Sequence, residues 1–439
     1  MTPSSDPPSS AIAAVDVRDD DVDAAVAAAH RAHYGRLVAY LAAHHRGDVM
    51  AAEDAVADAF AAALRDWPAA GVPRKPIAWL STVARRRMLN RLRHAQVIDA
   101  ASDDLRARDA DRAADAAADA PAMPDRRLEL LFVCAHPAID RAVQTPLMLQ
   151  TVLGLDAARI ASAFLVAPAT LGQRLVRAKA KIRKAGIPFV VPDAAQRPAR
   201  LRAVMDAIYA AYGTAWDADG ADARRRGLAD EAIWLASVLA DLLPDEAEPR
   251  GLVALMRYCE ARAHARRADD GAYVPLDRQD AARWDRAHLT AAETALRDAA
   301  RCGALAGALP GRYQWEAVIQ SLHVDGRLRG APRPDLVVAA YDGLLAASPT
   351  TGVRVARAAA LVAAARAEDA IRALDVLAAD ARAKRALDAY QPYWAVRARA
   401  LAALDRRDAA RAAYGRAIGL TEREGVRAYL QMQLDALPT

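Results

Sequence analysis

The sequence predicts an all-α chain of several helical bodies, and three observations carry that prediction. Apolar residues recur at spacings of three and four along most of the chain, the period of a helix buried on one side. Alanine, arginine, leucine and aspartate dominate while only four Phe are present, a composition that favours helix. Glycine and proline fall mostly between the periodic segments, as punctuation. At 439 residues the chain suits two or three domains better than one.

In chain order, the opening MTPSSDPPSSAIAAVDVRDDDVD is rich in Pro, Ser and Asp and is expected to form a disordered arm over residues 1–21. It lacks a basic n-region, and no apolar run approaches the roughly 20 residues that cross a bilayer, so a cytoplasmic protein is expected. A first helix from Val22 to Tyr40 turns Val26, Tyr34, Leu37, Val38 and Leu41 inward.

Two helices of opposite chemistry follow. In the first, Ala52, Val56, Phe60 and Leu64 recur every fourth residue and Trp67 completes an apolar stripe, with Pro68 expected to stop the helix. Asp54 and Asp58 stand one turn apart with Glu53 beside them, which predicts an exposed acidic ridge. In the second, Ile77, Leu80, Val83, Ala84, Met88 and Leu92 form the seam, and Trp79, Thr82, Arg86, Asn90 and Arg93 are expected on one exposed line. Seven Lys/Arg and no acid lie between Arg74 and Gln96, against a net charge of +5 for the whole chain. Such a face favours a polyanion, and an exposed indole on it would stack on an unpaired base.

From Asp99 to Asp125 the chain carries eight Asp and three Arg among alanines, with almost nothing to bury, and reads as a flexible acidic tether. A second helical body opens with LELLFVC from Leu128 to Cys134. Thr145 and Pro146 read as cap and first turn of the helix LMLQTVL, which Gly154 ends. DAARIASAF follows, with Asp156 as N-cap and Ile160 and Phe164 inward; then a short turn, then PATLGQRLVRAKAKIRKAG. Helix, short turn, helix is the spacing of a helix-turn-helix.

In that last helix Leu171, Leu175, Ala178 and Ile182 make the seam, while Thr170, Gln173, Arg174 and Arg177 occupy exposed positions suited to a major groove. Arg174, Arg177, Lys179, Lys181, Arg183 and Lys184 add a basic run with no acid among them. Ala167 cannot cap the helix, a deficit of about 1 kcal/mol that Pro168 at the first helical position partly offsets.

Beyond Arg200 the chain is helical without basic patches. LRAVMDAIYAAYGTAW buries Leu201, Val204, Met205, Ile208, Tyr212 and Trp216, and DGAYVPLDRQDAARW is the long polar connection between later helices. Near the end Trp394, Ala398, Leu401, Ala410, Tyr414 and Ala417 fit the tetratricopeptide spacing, a helix pair within a unit of roughly 34 residues, and Ala358, Leu361, Ala370 and Leu374 fit it more loosely.

These residues carry a family resemblance. GDVMAAEDAVADAF followed by PIAWLSTVARRRMLN resembles the promoter-melting domain of bacterial extracytoplasmic-function sigma factors, the group-four sigma subunits of RNA polymerase. The resemblance implies that Glu53, Asp54 and Asp58 contact the polymerase clamp helices, and that Trp79, Arg86, Asn90 and Arg93 face the minus-ten element as single strand. Ala57 and Arg86 depart from the Gln and Asn that many relatives have there. The later basic helix is similar to that family's minus-thirty-five-reading helix, which places Thr170, Gln173, Arg174, Arg177 and Lys181 at promoter DNA. LLFVCAHPAID, TPLMLQTVLGLDAARIASAFLV and YQPYWAVRA resemble a subgroup whose tetratricopeptide-like C-terminal extension stands in for a separate anti-sigma protein.

The organisation expected is an arm over 1–21, a melting and docking domain over 22–97, a linker over 98–125, a helix-turn-helix domain over 126–190 and a regulatory solenoid over 198–439. Core RNA polymerase, promoter DNA and a protein or peptide ligand of the solenoid are the partners implied. The competing reading is a one-component regulator, with an operator-binding helix-turn-helix and a ligand- or peptide-binding solenoid; the acidic ridge with Trp79 is what such a protein does not need.

Catalysis is not expected, since there is no P-loop, GxGxxG, nucleophile elbow or HExxH, and DADGAD at Asp217 lacks the order of a calcium loop. Cys134, Cys259 and Cys302 are widely spaced without a CxxC, and Cys134 with His136, or His44 with His45, lack a second ligand pair, so no cofactor and no metal are expected.

Overall fold

The period-3.6 patterning resolves into helices throughout. The computed structural model describes residues 19–96, 123–164, 166–216, 223–268, 272–379, 386–421 and 423–438, and among these the chain is all-α, with one isolated bridge between Arg267 and Tyr273. The expected arm, the expected linker up to residue 122 and the DADGAD run lie outside the described residues. The chain divides into two compact units, residues 1–204 and 205–439.

The first unit begins with α1 (Asp19–His44), α2 (Val49–Ala70) and α3 (Pro76–Gln96). Asp48 caps α2 by accepting from Ala51 N–H at 3.1 Å. Ala52, Val56, Phe60 and Trp67 are buried as expected, but Leu64 is 48% exposed. A spacing of four overshoots the 3.6-residue turn by about 40° each time, so the stripe has drifted off the core by Leu64 and the spacing of three to Trp67 brings it back. Pro68 does not stop α2 either. It sits in the last turn, which the Gly71 N–H holds by donating to Trp67 C=O at 2.9 Å.

The same unit continues with α4 (Arg127–Cys134), α5 (Arg141–Leu153), α6 (Ala157–Ala163) and α7 (Pro168–Lys184). α5 starts earlier than Thr145 and Pro146 suggest, because Asp140 caps it, accepting from Ala142 N–H at 3.0 Å; Thr145 and Pro146 are therefore inside the helix. Asp156 caps α6 as expected, accepting from Ala158 and Arg159 N–H, each at 2.9 Å. Ala167 provides no side-chain cap, and Leu171, Leu175, Ala178 and Ile182 form the buried seam of α7.

Two glycines set how α1 meets α5. A Cβ on Gly35 would stand 2.1 Å from Val152 O, so only glycine lets the two backbones approach this closely. Gly154 ends α5 in the left-handed conformation (φ 72°) and lies under His30 and Tyr34 of α1, where a Cβ would meet ring carbons at 2.7 and 2.8 Å.

α8 (Arg197–Trp216) crosses the division between the units. In the second unit α9 (Ala223–Leu242), α11 (Arg286–Ala306) and α12 (Arg312–Arg329) pack around α10 (Ala247–Glu260), and Tyr212 of α8 donates to Glu260 of α10 at 3.1 Å. Leu201, Val204, Met205, Ile208 and Tyr212 are buried as the spacing predicts. α12 has no cap of its own, and Glu248 on α10 supplies one, accepting from Tyr313 and Gln314 N–H at 3.1 Å each and from Gln314 Nε2 at 3.2 Å. Beside it Arg312 bridges Asp206 at 3.1 Å and Glu316 at 2.8 Å and lies over the Tyr313 ring.

Paired helices complete the unit: α13 (Pro334–Ala347), α14 (Thr351–Ala363), α15 (Ala367–Ala379), α16 (Gln391–Ala403), α17 (Arg407–Gly419) and α18 (Glu424–Asp435). The α14–α15 pair and the α16–α17 pair match position by position. Ala358, Leu361, Ala370 and Leu374 correspond to Ala398, Leu401, Ala410 and Tyr414, all buried. Each pair turns through a left-handed non-glycine residue, Ala365 (φ 58°) and Asp405 (φ 56°). The interval from Thr351 to Gln391 exceeds the roughly 34 residues expected, and part of the excess, 380–385, lies outside the described residues.

A half-buried carboxylate that caps another helix is costly to delete. Glu248→Ala is expected to lower the unfolding free energy by about 1–3 kcal/mol, read from a urea titration of the full chain. A loss within error would show that water satisfies the α12 amides instead.

Candidate functional site

The acidic ridge and the basic helix of the sequence reading both belong to the first unit, where α3 packs along α2. Asp54 and Asp58 are outward, with side chains 55% and 44% exposed, and both are held by Arg91 of α3, at 2.6 and 2.9 Å. Exposed pairs of this kind contribute about 0–1 kcal/mol each, so they orient the carboxylates without committing them.

Glu53 is different. Its side chain is 12% exposed and forms an ion pair with Lys179 of α7, itself 7% exposed, while Gln150 of α5 takes a second Lys179 hydrogen bond at 2.5 Å. Burial pushes the Glu53 carboxyl above its ordinary range, and the Lys179 ammonium pulls against that shift. One turn of α7 further on, Arg183 reaches Asp48 at 3.0 Å.

On α3 the seam residues Leu80, Ala84 and Met88 are buried and Ile77 and Val83 half-buried, as read from the sequence. Trp79 is not on an exposed line. It is 4% exposed and packs edge-on against Trp67, ring centroids 5.7 Å apart. The reason is geometric: Trp79 stands beside Leu80 at the start of α3, where α2 ends, so its indole closes the α2–α3 corner. Asn90 is exposed, Arg86 and Thr82 are half-buried, and Thr82 donates to Ala78 C=O at 2.9 Å. The side chains of Leu92 and Arg93 lie outside the described residues. Arg85 adds to the basic face, donating to Tyr40 Oη at 3.1 Å.

On α7, Thr170, Gln173, Arg174, Arg177 and Lys181 are exposed, as expected of groove-facing residues. Arg177, Lys181 and Lys184 with Ala180 and Ala185 form one open basic face at the C-terminal end of α7. Lys181 also donates to Ala138 C=O at 2.5 Å. Lys179, grouped with the exposed basic run by composition, is instead buried against Glu53.

Two residues escaped the sequence reading. Arg91 gave no signal beyond its charge, because its role comes from which acids α2 places opposite it. Lys179 did leave one: it lies four after Leu175 and three before Ile182, on the edge of the apolar seam, where a lysine needs an acid from a neighbouring helix.

Among the described residues no group of His, Cys, Asp and Glu is arranged to hold a metal ion, and no helix is long and apolar enough to cross a membrane. Cys134 is buried, 3.4 Å from Thr151 Oγ1, and burial pushes its thiol up to about 12, which suits a packed residue and not a nucleophile.

Comparison with known proteins accords with this geometry. Residues 31–97 match sigma-70 region 2, the span that includes α2 and α3. Residues 200–300 match a family of unknown function (DUF6596). An uncharacterized protein of Rhizobium meliloti (strain 1021) is 35% identical over 395 residues, covering 88% of this chain and 90% of its own length. No solved structure matches.

The burial of Trp79 has a measurable consequence. Trp79→Ala is expected to cost about 3–5 kcal/mol of stability in the first unit, followed by urea unfolding with tryptophan fluorescence. A cost under about 1 kcal/mol would mean the indole spends its time in solvent, as an exposed stacking residue does.

Proposed function

This chain belongs to one family with the Rhizobium meliloti protein and carries sigma-70 region 2, and from that premise we propose that it is a group-four, extracytoplasmic-function sigma factor regulated by its own helical C-terminal half. Sigma-70 region 2 supports a role in transcription initiation and implies binding of core RNA polymerase and promoter DNA. The observation that carries the reading is the match over residues 31–97 to a helix with an outward acidic pair followed by a basic helix.

In this reading α2 docks on polymerase through Asp54 and Asp58, with Glu53 joining them when freed. Arg91 gives up its partners at little cost, since both bridges are exposed. Arg86, Asn90 and Arg93 face the melted minus-ten strand, while Trp79 braces α3 from behind, buried against Trp67. α6 and α7 act as a helix-turn-helix, and Thr170, Gln173, Arg174, Arg177 and Lys181 meet the minus-thirty-five element. No covalent chemistry is required. The paired helices from α13 to α18 act as a tetratricopeptide-like surface for a protein or peptide ligand, and the protein works in the cytoplasm.

Two measurements test this. Asp54→Arg combined with Asp58→Arg faces Arg91 with like charge on an exposed ridge, so the fold should survive while affinity for core RNA polymerase falls at least about tenfold, the equivalent of 1.4 kcal/mol. Wild-type affinity in a folded double mutant would remove the docking assignment. Arg174→Ala and Arg177→Ala should each weaken binding to a minus-thirty-five duplex. Where the lost contact is to phosphate, the slope of log affinity against log salt drops by about one unit; where it is to a base, preference relaxes at one position. A variant showing neither effect would place that arginine off the DNA.

A further inference from the structure

We propose that Arg262, just past the end of α10, anchors a binding site for an oxyanion, the carboxylate or phosphate group of a ligand taken up by the second unit. The site lies wholly within that unit and depends on no assignment made to α2, α3 or α7.

A buried cation without a counter-charge marks the place. Arg262 takes the next helical spacing after Leu255, Tyr258 and Cys259 on the α10 seam, and like them it is buried, at 6% exposure. It is the one buried arginine among the described residues. Nε donates to Tyr258 C=O at 3.3 Å and Nη2 donates to Gln320 Oε1 of α12, and both acceptors are neutral. Among the described residues no carboxylate comes within ion-pair distance of it, and Nη1 makes no hydrogen bond yet is not sealed from solvent. The backbone at Arg262 is fixed by two bonds of 3.0 Å, its N–H donating to Cys259 C=O and its C=O accepting from Ala265 N–H.

Arginine is seldom buried without a partner, because a desolvated charge left alone is costly. Lys179 in the first unit offsets that cost with Glu53, whereas Arg262 has only dipoles. The groups around it add positive charge or none. Burial and the Arg262 guanidinium bring the His323 imidazole of α12 down to about 4, so it is neutral near pH 7. Arg266, one turn on, is a second guanidinium whose charge burial disfavours. The Tyr273 hydroxyl is pushed up by burial and pulled back by Arg266 and Arg262, and its ring packs edge-on against Tyr429 of α18, centroids 6.0 Å apart. Asp277, which acts on His323 and Tyr273, is exposed and makes no ion pair among the described residues. An open fork edge of Nη1 and the second N–H of Nη2 is what a carboxylate or phosphate meets through parallel charge-assisted bonds, and the ligand then supplies the missing negative charge.

The test uses the full chain in chloride buffer, with inorganic phosphate, sodium succinate and a short glutamate-rich peptide as probes in isothermal titration calorimetry. At least one probe should bind saturably: phosphate alone would identify a phosphate group, succinate a small carboxylate, and the peptide alone an acidic segment of a partner. Arg262→Met, an apolar chain of similar length, should weaken that binding by about tenfold or more, through the loss of a charge-assisted contact. Arg262→Lys keeps the charge without the fork, should also weaken binding, and serves should Arg262→Met fail to fold. The bound probe should raise the urea midpoint of the wild-type chain and raise it less in either variant, which separates a site from the general effect of salts on stability. No saturable binding of any probe, or binding and a midpoint shift that the folded variants retain in full, would overturn the proposal. Neither result bears on polymerase or promoter binding, so the sigma-factor reading stands or falls separately.

Discussion

A lysine on the apolar seam of a helix must find a carboxylate, and in the first unit that requirement joins two helical bodies. Lys179 follows Ala178 on the seam of α7, so its stem is carried under the helix and its ammonium emerges against α2. Glu53 is there to receive it. Removing one partner of such a buried pair costs about 3–5 kcal/mol, because the other is left charged and unpaired, while the intact pair adds little net stability. The pair therefore acts as a specification: it fixes the rotation of α7 about its axis, and with it which face of the helix carries Thr170, Gln173, Arg174 and Arg177 outward.

The helical architecture was legible because it rests on periodicity, a local property. The seams of α1, α3 and α7 were read nearly residue for residue, as were the caps at Asp156 and Gly154. The failures share a different cause. Leu64 was misplaced because a repeat of four does not hold one face of a 3.6-residue helix. Pro68 and Thr145 with Pro146 were misplaced because proline is tolerated inside a helix whose ends are secured elsewhere, by Gly71 and by Asp140. Trp79 was misplaced because an indole at a helix start carries no sign of which side is covered, and only the corner formed with Trp67 decides it.

The site was legible in composition and not in pairing. That α2 is acidic and α3 and α7 basic follows from counting charges, yet the partners of those charges are tertiary facts. Asp54 and Asp58 stay outward with an exchangeable arginine, while Glu53, the adjacent residue, is turned inward and committed to another helix. The second unit repeats the lesson at Glu248, which reads as an ordinary charge in the first turn of α10 and in fact caps α12. Its paired helices were easier, since small residues at the crossings, Ala358 and Ala370 in one pair and Ala398 and Ala410 in the next, are themselves the packing signal.

The burial of the Glu53–Lys179 pair sets it apart from the exposed bridges on the same helix. Surface bridges such as those of Arg91, at about 0–1 kcal/mol, are screened by salt and exchange freely. A pair withdrawn from water gains little more in net stability, because desolvation offsets most of the attraction; what it adds is discrimination, since any packing of α7 that leaves one partner buried alone is costly. The same chain thus uses the two kinds of ion pair for opposite ends. The exposed pair leaves carboxylates that another cation can take over cheaply, and the buried one fixes how α7 lies against α2.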